Sequence, residues 1–165
     1  MPDSPRIERF DPRRATETEF AGYHAVVAAS EAADRPGEPG LPLAEVAGRL
    51  TEPLPRMGPA AHWVARRGDV AGFTEVCLHP RRPDWAYQRD TAVLAGHRGH
   101  GLGRCVKAHL ARWLVAERPA VARISTTTGE DNAHMLRVNA DVGYTTLRSV
   151  VAMRQDLAEP AARLG

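Results

Sequence analysis

The stretch Thr91-Ala92-Val93-Leu94-Ala95-Gly96-His97-Arg98-Gly99-His100-Gly101-Leu102-Gly103 decides the fold of this chain. It ends a long extended segment, Trp85 to Leu94, and opens a helix with apolar residues at helical spacing: Leu102, Val106, Leu110, Trp113 and Leu114. A strand that runs through glycines into a helix favours an anion site, because the backbone can approach the ligand and the first helical amides attract phosphate oxygens. The glycine spacing fits neither the P-loop nor the dinucleotide fingerprint, and a purely structural turn is the alternative.

The segments on either side of this loop predict an α/β (α+β) domain. Upstream, the pattern predicts a strand at 7–10, a helix at 17–33 opened by the capping box of Thr16 and Glu19, a second helix from Pro42, and a hairpin that turns at Gly68-Asp69. Downstream, it predicts a strand at 121–127, a helix from Asn132 to Gly143 and an extended segment at 144–157. This order implies a mixed, mostly antiparallel sheet with helices on both faces.

Length and composition predict one domain, residues 1–165, with a loose tail from about residue 158. The content of 43% hydrophobic and 25% charged residues is that of a globular chain. No apolar run approaches the length of a membrane span, and the N-terminus lacks the layout of a signal peptide. Cys77 and Cys105 are not spaced as a disulfide or metal cluster. We therefore expect a cytoplasmic protein without a membrane partner.

The charge is unevenly distributed along the chain. Residues 1–80 carry 9 basic and 12 acidic side chains, a net charge of −3, whereas residues 81–165 carry 13 and 8, a net charge of +5. The positive second half suits an anionic ligand such as a phosphorylated cofactor. Because no basic run is interleaved with aromatic residues, we expect no nucleic-acid partner. The seven histidines lack the spacing of metal ligands, so we expect no metal site.

Two motifs in this order resemble those of the GNAT acyl-CoA N-acyltransferase superfamily. The first is Arg98-x-x-Gly101-x-Gly103, which looks like the pyrophosphate loop of that superfamily. The second, Asn132 to Tyr144, resembles its segment of asparagine, helix, glycine and aromatic residue. The resemblance covers about residues 60 to 157, and Gln88-x-Asp90-Thr91 is similar to a branch that includes tandem-domain relatives of mycothiol synthase. The chain would correspond to one such domain, with the GNAT fold and its splayed sheet.

The resemblance implies that acetyl-CoA (coenzyme A) binds as co-substrate. Backbone groups of Val93, Leu94 and Ala95 would pair with its pantetheine arm. The resemblance also implies that the pyrophosphate is held by Arg98, Gly99, His100, Gly101, Leu102, Gly103 and Arg104. It implies that the pantetheine arm contacts Asn132 and Asn139. Many members carry a tyrosine seven residues after the motif asparagine, where this chain has Asn139, which can hydrogen-bond but has no proton to give as an acid.

The implied reaction is transfer of an acetyl or other acyl group to a primary amine of a small molecule or peptide by direct attack. Such an attack needs a general base, and carboxylates on adjacent predicted strands supply candidates. Asp90 is the first choice, Glu75 is the reserve and His79 is a third; each is alternatively an ordinary salt-bridged or surface side chain. A catalytically silent CoA-binding partner or regulatory domain, and a nucleotide-binding module, remain open alternatives. Kinship to tandem proteins also predicts a twofold homodimer.

Overall fold

A computed structural model describes residues 4–52 and 55–153 of the chain. The strands in these residues are β1 (Arg6–Phe10), β2 (Ala60–Arg67), β3 (Asp69–Leu78), β4 (Trp85–Val93) and β5 (Arg123–Ser125). The helices are α1 (Glu17–Asp34), α2 (Leu43–Thr51), α3 (Leu102–Glu117) and α4 (Ala133–Asp141), with a short 3₁₀ turn at Ala95–His97. Within these described ranges, no helix has the length and apolar character needed to cross a bilayer.

The strands form one open sheet in the order β1-β2-β3-β4-β5. The first three pairings are antiparallel and the pairing of β4 with β5 is parallel, which confirms the predicted mixed sheet. On one face, α1 and α2 enclose the apolar side chains of Phe10, Tyr23, Val26, Val46, Val64, Val70 and Phe73. On the other face, α3 covers Ala61, Trp63, Val76 and Ala86 with Leu110 and Leu114. The predicted helices on both faces of the sheet are therefore confirmed.

Local sequence signals set the ends of several elements. The Thr16 hydroxyl accepts a hydrogen bond from the Glu19 amide, and the Glu19 carboxylate accepts one from the Thr16 amide, so the predicted capping box is present. The Asn132 side chain caps α4 by accepting from the Met135 amide at 3.0 Å. Gly143 follows α4 with a φ of +93°, the left-handed conformation that a helix-ending glycine supplies. These caps fix where α1 and α4 begin and where α4 ends.

The structure differs from the sequence prediction after α3. The predicted strand at 121–127 is reduced to Arg123–Ser125, because β5 pairs with β4 only as far as Tyr87 and Ser125. The segment 144–153 forms no strand, although extended structure was predicted there, and it exposes large apolar side chains: Leu147, Val150, Val151 and Met153. Residues 154–157 of that segment and the predicted tail from about residue 158 lie outside the described residues.

The Tyr23 hydroxyl is a buried polar group in the α1 face of the core. The residue is 1% exposed, and its hydroxyl has no hydrogen-bond partner among the described residues. Because a buried hydroxyl without a partner is destabilising, we expect Tyr23→Phe to raise the free energy of unfolding by about 1 kcal/mol. Thermal denaturation would then show a midpoint higher by about 2–4 °C. A fall in the midpoint would contradict this view and show that the hydroxyl has a partner, such as an ordered water.

Candidate active site

A cleft opens where β4 and β5 separate. The two strands pair at Trp85↔Arg123, Ala86↔Ile124 and Tyr87↔Ser125, and beyond Tyr87 the described residues provide no strand on this side of β4. The resulting cavity has a volume of about 610 Å³. Its lining comes from α1, β4, α3, the segment that leads into α4, and α4 itself: Ser30, Ala33, Asp34, Arg89, Asp90, Thr91, Lys107, Thr126, Thr127, Thr128, Gly129, Asp131, Asn132 and Met135. The cleft therefore reaches from the α1 face of the sheet to its α3 face.

A β-bulge in β4 lies at this opening. Thr74 pairs with Thr91 and Val76 pairs with Gln88, so Glu75 alone opposes the two residues Arg89 and Asp90. Bulges bend a strand and redirect its side chains, and they are common beside active sites. Here the bulge separates the environments of the two predicted carboxylates. Asp90 lines the cleft with 73% of its side chain exposed, whereas the Glu75 side chain is 6% exposed.

Glu75 belongs to a buried ion pair beneath the cleft. Its Oε1 atom lies 3.0 Å from Nη1 of Arg89, and its Oε2 atom lies 3.3 Å from Nδ1 of His62, which is not aligned for a hydrogen bond. Glu75 is not among the residues that line the cleft. Because a buried carboxylate held by arginine is costly to separate from it, Glu75 is suited to positioning Arg89 rather than to exchanging protons with a ligand.

Asp90 combines access to the cleft with a perturbed acidity. Reduced hydration within the cleft and then the charge of Glu75 raise the pKa of Asp90 above its usual value. Arg89 acts in the opposite direction, with its Nη2 atom 3.9 Å from the Asp90 carboxylate. Most of the side chain is exposed, so water screens these charges. Asp90 is therefore a carboxylate that is open to a ligand and somewhat more basic than usual.

A polar network lies on the α3 side of the cleft. The Lys107 Nζ atom donates to Gln88 Oε1 at 3.0 Å, and Gln88 Nε2 donates to Thr74 Oγ1 at 2.7 Å. The hydroxyls of Thr74 and Thr91 are 2.7 Å apart, and the Tyr144 hydroxyl donates to Gln88 Oε1. This network ties α3 to β3 and β4 next to the bulge.

The glycine loop follows the open part of β4. Gly99 and Gly101 have φ values of +77° and +74°, which side chains with a Cβ rarely adopt. Gly101 is the N-cap of α3. Because glycine has no side chain that could accept a hydrogen bond, it leaves the first backbone amides of the helix uncapped. Arg98 folds back, and its Nε donates to the Val93 carbonyl at 3.0 Å. The loop therefore offers free amides beside an arginine.

The backbone groups predicted to hold the cofactor arm are partly engaged. The Val93 carbonyl accepts from Arg98, the Ala95 carbonyl accepts from the Arg98 amide, and the Leu94 amide donates to Ala71 of β3. A ligand that pairs with the carbonyls of Val93 and Ala95 would share these oxygens with Arg98, since each carbonyl has two lone pairs. The exposed edge of β4 nearer the bulge, around Thr91, has no such bond to Arg98 among the described residues.

The other predicted residues are distributed around the cleft. Asn132 lines it, whereas Asn139 is 6% exposed and donates from Nδ2 to Thr128 Oγ1 at 3.0 Å. The Asn139 Oδ1 atom is buried without a hydrogen-bond partner in the described part of the chain. His79 packs against Trp85 and is not part of the cleft lining. The structure thus brings Asp90 and Asn132 together, and places Glu75, Asn139 and His79 outside the lining.

The sequence model of the Acetyltransferase (GNAT) family matches residues 27–144, which include the bulge, the glycine loop and α4. The chain belongs to the GNAT acetyltransferase family. This assignment confirms the resemblance drawn from the two motifs and makes the chain an acetyl-CoA-dependent N-acetyltransferase by family. No curated protein is detectably similar to it in sequence.

Solved structures share the GNAT fold at low sequence identity. An aminoglycoside acetyltransferase from an uncultured soil metagenomic sample has a TM-score of 0.71 and 14% identity, covering 93% of this chain and 96% of its own. A ribosomal-protein-alanine N-acetyltransferase from Brucella melitensis biovar Abortus 2308 has a TM-score of 0.67 and 16% identity, with coverage of 93% and 100%. A tandem GNAT protein from the clavulanic acid biosynthesis pathway has a TM-score of 0.62 and 23% identity, covering 87% of this chain and 42% of its own.

The site has the groups that a GNAT co-substrate requires. Free amides at the start of α3 and the side chain of Arg98 suit a pyrophosphate, because both attract phosphate oxygens. The unpaired edge of β4 suits an extended arm with amide groups, and Asn132, which was predicted to contact that arm, lines the same cleft. Acetyl-CoA therefore fits the residues present.

Sequence reasoning missed several residues of the cleft, above all Lys107, Arg89 and Asp34. Lys107 is the only lysine in the chain, and it stands at helical spacing between Gly103 and Leu110 on the inner side of α3. That spacing could have revealed it, although a lysine in a helix is exposed by default. Arg89 carried no such signal, because its contact with Glu75 depends on the bulge.

Proposed function

We propose that this GNAT protein transfers an acetyl group from acetyl-CoA to a primary amine of a small molecule or peptide. The observation that carries the proposal is the cleft between β4 and β5, in which the accessible Asp90 lies on the strand that leads into the glycine loop. Acidic side chains of Asp34 and Asp131 share this cleft with Asp90 and would attract a cationic amine. Two of the similar structures named above are an aminoglycoside acetyltransferase and a ribosomal-protein-alanine N-acetyltransferase, and the substrates in both names carry amino groups.

The residues of the chain divide the work of this reaction. When bound, acetyl-CoA supplies a thioester whose carbonyl carbon is open to attack by an amine. The amides of Gly99 to Arg104 and the Arg98 side chain would hold the pyrophosphate, and the edge of β4 would align the arm toward the bulge. Asp90 would take a proton from the acceptor ammonium, so that the neutral amine attacks. Glu75 would act through Arg89, which it holds beside Asp90.

A catalytically silent CoA-binding domain is the second candidate. The observation in its favour is Asn139, which stands where many GNAT members have an acidic tyrosine, and which is bonded to Thr128. Such a domain would bind CoA as tightly as an enzyme does but would transfer no acetyl group. The two candidates therefore differ in one measurable property.

Acetyl transfer to a panel of amines tests the proposal directly. Purified protein is mixed with acetyl-CoA and either an aminoglycoside, a peptide with a free N-terminal alanine, or a peptide with an internal lysine, and thiol release is followed together with product mass. Acetylation of at least one amine, dependent on the protein, is the expected result. Tight CoA binding without transfer to any amine would favour the silent domain, and a thermal shift with ATP or NAD but none with CoA would favour a nucleotide-binding module.

A twofold homodimer is the expected assembly of this chain. Leu147, Val150, Val151 and Met153 are 72–93% exposed, and exposed apolar side chains in succession favour an interface. A closed dimer is the commonest way to cover such a surface. Light scattering at micromolar concentration should report twice the chain mass of 18.0 kDa. A particle of single-chain mass would contradict the dimer, and Val150→Glu should shift a genuine dimer toward that mass.

We also propose that the protein works in the reducing cytoplasm. Cys77 and Cys105 are both free, as expected where thiols are kept reduced. Burial raises the pKa of the Cys77 thiol to about 11, so this side chain behaves as an apolar core residue at neutral pH.

A further inference from the structure

Lys107 is a buried cation that the reaction described above does not use. It is 3% exposed, yet it belongs to the lining of the cleft together with Asp90 and Asn132. Its Nζ atom is held by Gln88 Oε1 at 3.0 Å and lies 5.4 Å from the centre of the Tyr144 ring. One of its three hydrogens thus goes to Gln88, and the position leaves others for a ligand in the cleft.

Lys107 has no counter-ion among the described residues. No carboxylate in residues 4–52 and 55–153 lies within 4.0 Å of its Nζ atom. Because burial removes water from a charge without replacing it by an opposite one, the pKa of Lys107 is lowered to about 8. A purely structural role would be filled at lower cost by an uncharged side chain, so the cation itself needs an explanation.

The side chains in direct contact with the Lys107 ammonium are neutral. The strands beneath α3 present the bonded pair of Gln88 and Thr74 among apolar side chains, and Arg9 of β1 lies over Trp113 further along α3. From the other elements, the titratable groups are Arg104 on α3 itself with Asp141 of α4, Tyr144 after α4, and the members of the cleft lining: Asp34, Arg89, Asp90 and Asp131. Burial raises the pKa of Tyr144, so this phenol stays protonated and donates to Gln88.

We propose, on the basis of the acetyltransferase function above, that Lys107 donates the proton that the departing CoA thiolate requires. As the bond between the amine nitrogen and the acetyl carbon forms, the bond from that carbon to sulfur breaks and its electron pair stays on sulfur. One N–H hydrogen of the Lys107 ammonium then transfers to sulfur and leaves a neutral amine, which regains a proton from water. The acceptor ammonium loses two protons in all: the first goes to Asp90 before the attack, and the second leaves the nitrogen for water as the amide forms. The overall products are therefore an amide, a free thiol and one proton released to solvent.

The acidities of the two partners suit this transfer. An ordinary thiol has a pKa of about 8.5, close to the pKa of about 8 for Lys107. The free energy of proton transfer between the ammonium and the thiolate is therefore small in either direction. An acid works best with a pKa near the working pH. Lys107 on the α3 side and Asp90 at the bulge would thus be an acid and a base that share one cleft, and Asn139 would need no acidic proton.

The pH dependence of thiolate formation in the bound CoA thiol tests this role without an acceptor. CoA itself is the probe, and its thiolate is followed by ultraviolet absorbance from about pH 6 to pH 10 in the wild type, Lys107→Met and Lys107→Gln. A cation beside sulfur favours the thiolate, so bound CoA should ionise about one pH unit lower in the wild type than in either variant. Equal titration in all three proteins, each folded by circular dichroism, would overturn the proposal.

Kinetics with an amine identified by the transfer assay give the second readout. We expect kcat of the wild type to fall above about pH 8 as Lys107 loses its proton. Lys107→Met should lower kcat about fivefold to tenfold with little change in the KM for acetyl-CoA, and it should lose that alkaline limb. Lys107→Arg should move the limb beyond pH 10, because arginine keeps its charge.

Tyr144→Phe is the matched control, because it removes the other donor to Gln88 Oε1 and leaves Lys107 in place. If the network is only structural, Tyr144→Phe and Lys107→Met should have similar effects, and this outcome would overturn the proposal. So would a Lys107→Met variant that keeps the wild-type kcat and alkaline limb. A wild type that transfers no acetyl group would instead refute the proposed function, while the thiol titration would still decide whether Lys107 faces sulfur.

Discussion

Gly101→Asp should weaken the binding of CoA by about tenfold to a hundredfold, which is about 1.4–2.7 kcal/mol. Gly101 caps α3 with a φ of +74°, directly before the free amides that suit a pyrophosphate. An aspartate would place a negative charge among these amides. A Cβ atom at this position would lie 3.6 Å from Nη2 of Arg104, so the new carboxylate could also pair with that guanidinium group and keep it from the pyrophosphate. Titration calorimetry with CoA measures the change.

Gly101→Asn provides the matched control. Asparagine has nearly the same shape as aspartate and tolerates the same left-handed backbone, but it carries no charge. The difference between the two variants therefore isolates the electrostatic contribution of the loop. If the aspartate variant binds CoA as the wild type does, the glycine loop is not the pyrophosphate site, and the site must be sought elsewhere.

Asp90→Asn should lower kcat/KM about a hundredfold at pH 7. An alkylamine has a pKa of about 10.4, so under about one molecule in a thousand is neutral at pH 7, and a positioned base is worth a factor of about 10² or more. Near pH 9 about one amine in twenty-five is already neutral, so the variant should recover part of the lost rate there. Initial rates at both pH values, with the amine found in the transfer assay, measure this recovery.

Glu75→Gln and Asn139→Ala complete the comparison. The Glu75 variant loses a buried partner of Arg89, so we expect lower stability and a smaller loss of rate than for Asp90→Asn. Asn139→Ala should cost less still, because Asn139 gives no acidic proton. If Asp90→Asn keeps full activity while Glu75→Gln abolishes it, the assigned roles are reversed, and the buried Glu75 carboxylate is the base.

Local signals in the sequence predicted much of the fold. The capping box of Thr16 and Glu19 and the left-handed Gly143 depend on residues close in sequence, so they could be read without the structure. The glycine loop is local in the same sense, and it predicted the family. The mixed sheet followed from the order of strands and helices rather than from any contact.

The parts that could not be predicted depend on contacts across the sheet. In the bulge, Glu75 of β3 alone opposes Arg89 and Asp90 of β4. No pattern in the sequence of β4 predicts this irregular pairing. For that reason sequence analysis could rank Asp90 and Glu75 as candidate bases only by their positions on the predicted strands. The structure distinguishes them by side-chain exposure, which is 73% for Asp90 and 6% for Glu75. The short β5 likewise reflects where it parts from β4, which is a property of both strands together.

The burial of the only lysine leaves the outside of this protein without any lysine amine. Its remaining strongly basic side chains are arginines, whose guanidinium groups keep their protons and do not attack thioesters at neutral pH. A protein that handles a reactive acyl donor is thereby protected from labelling its own surface. The same feature simplifies labelling with amine-directed reagents: apart from the N-terminus, the only amine that can be acylated or cross-linked is that of Lys107 in the cleft.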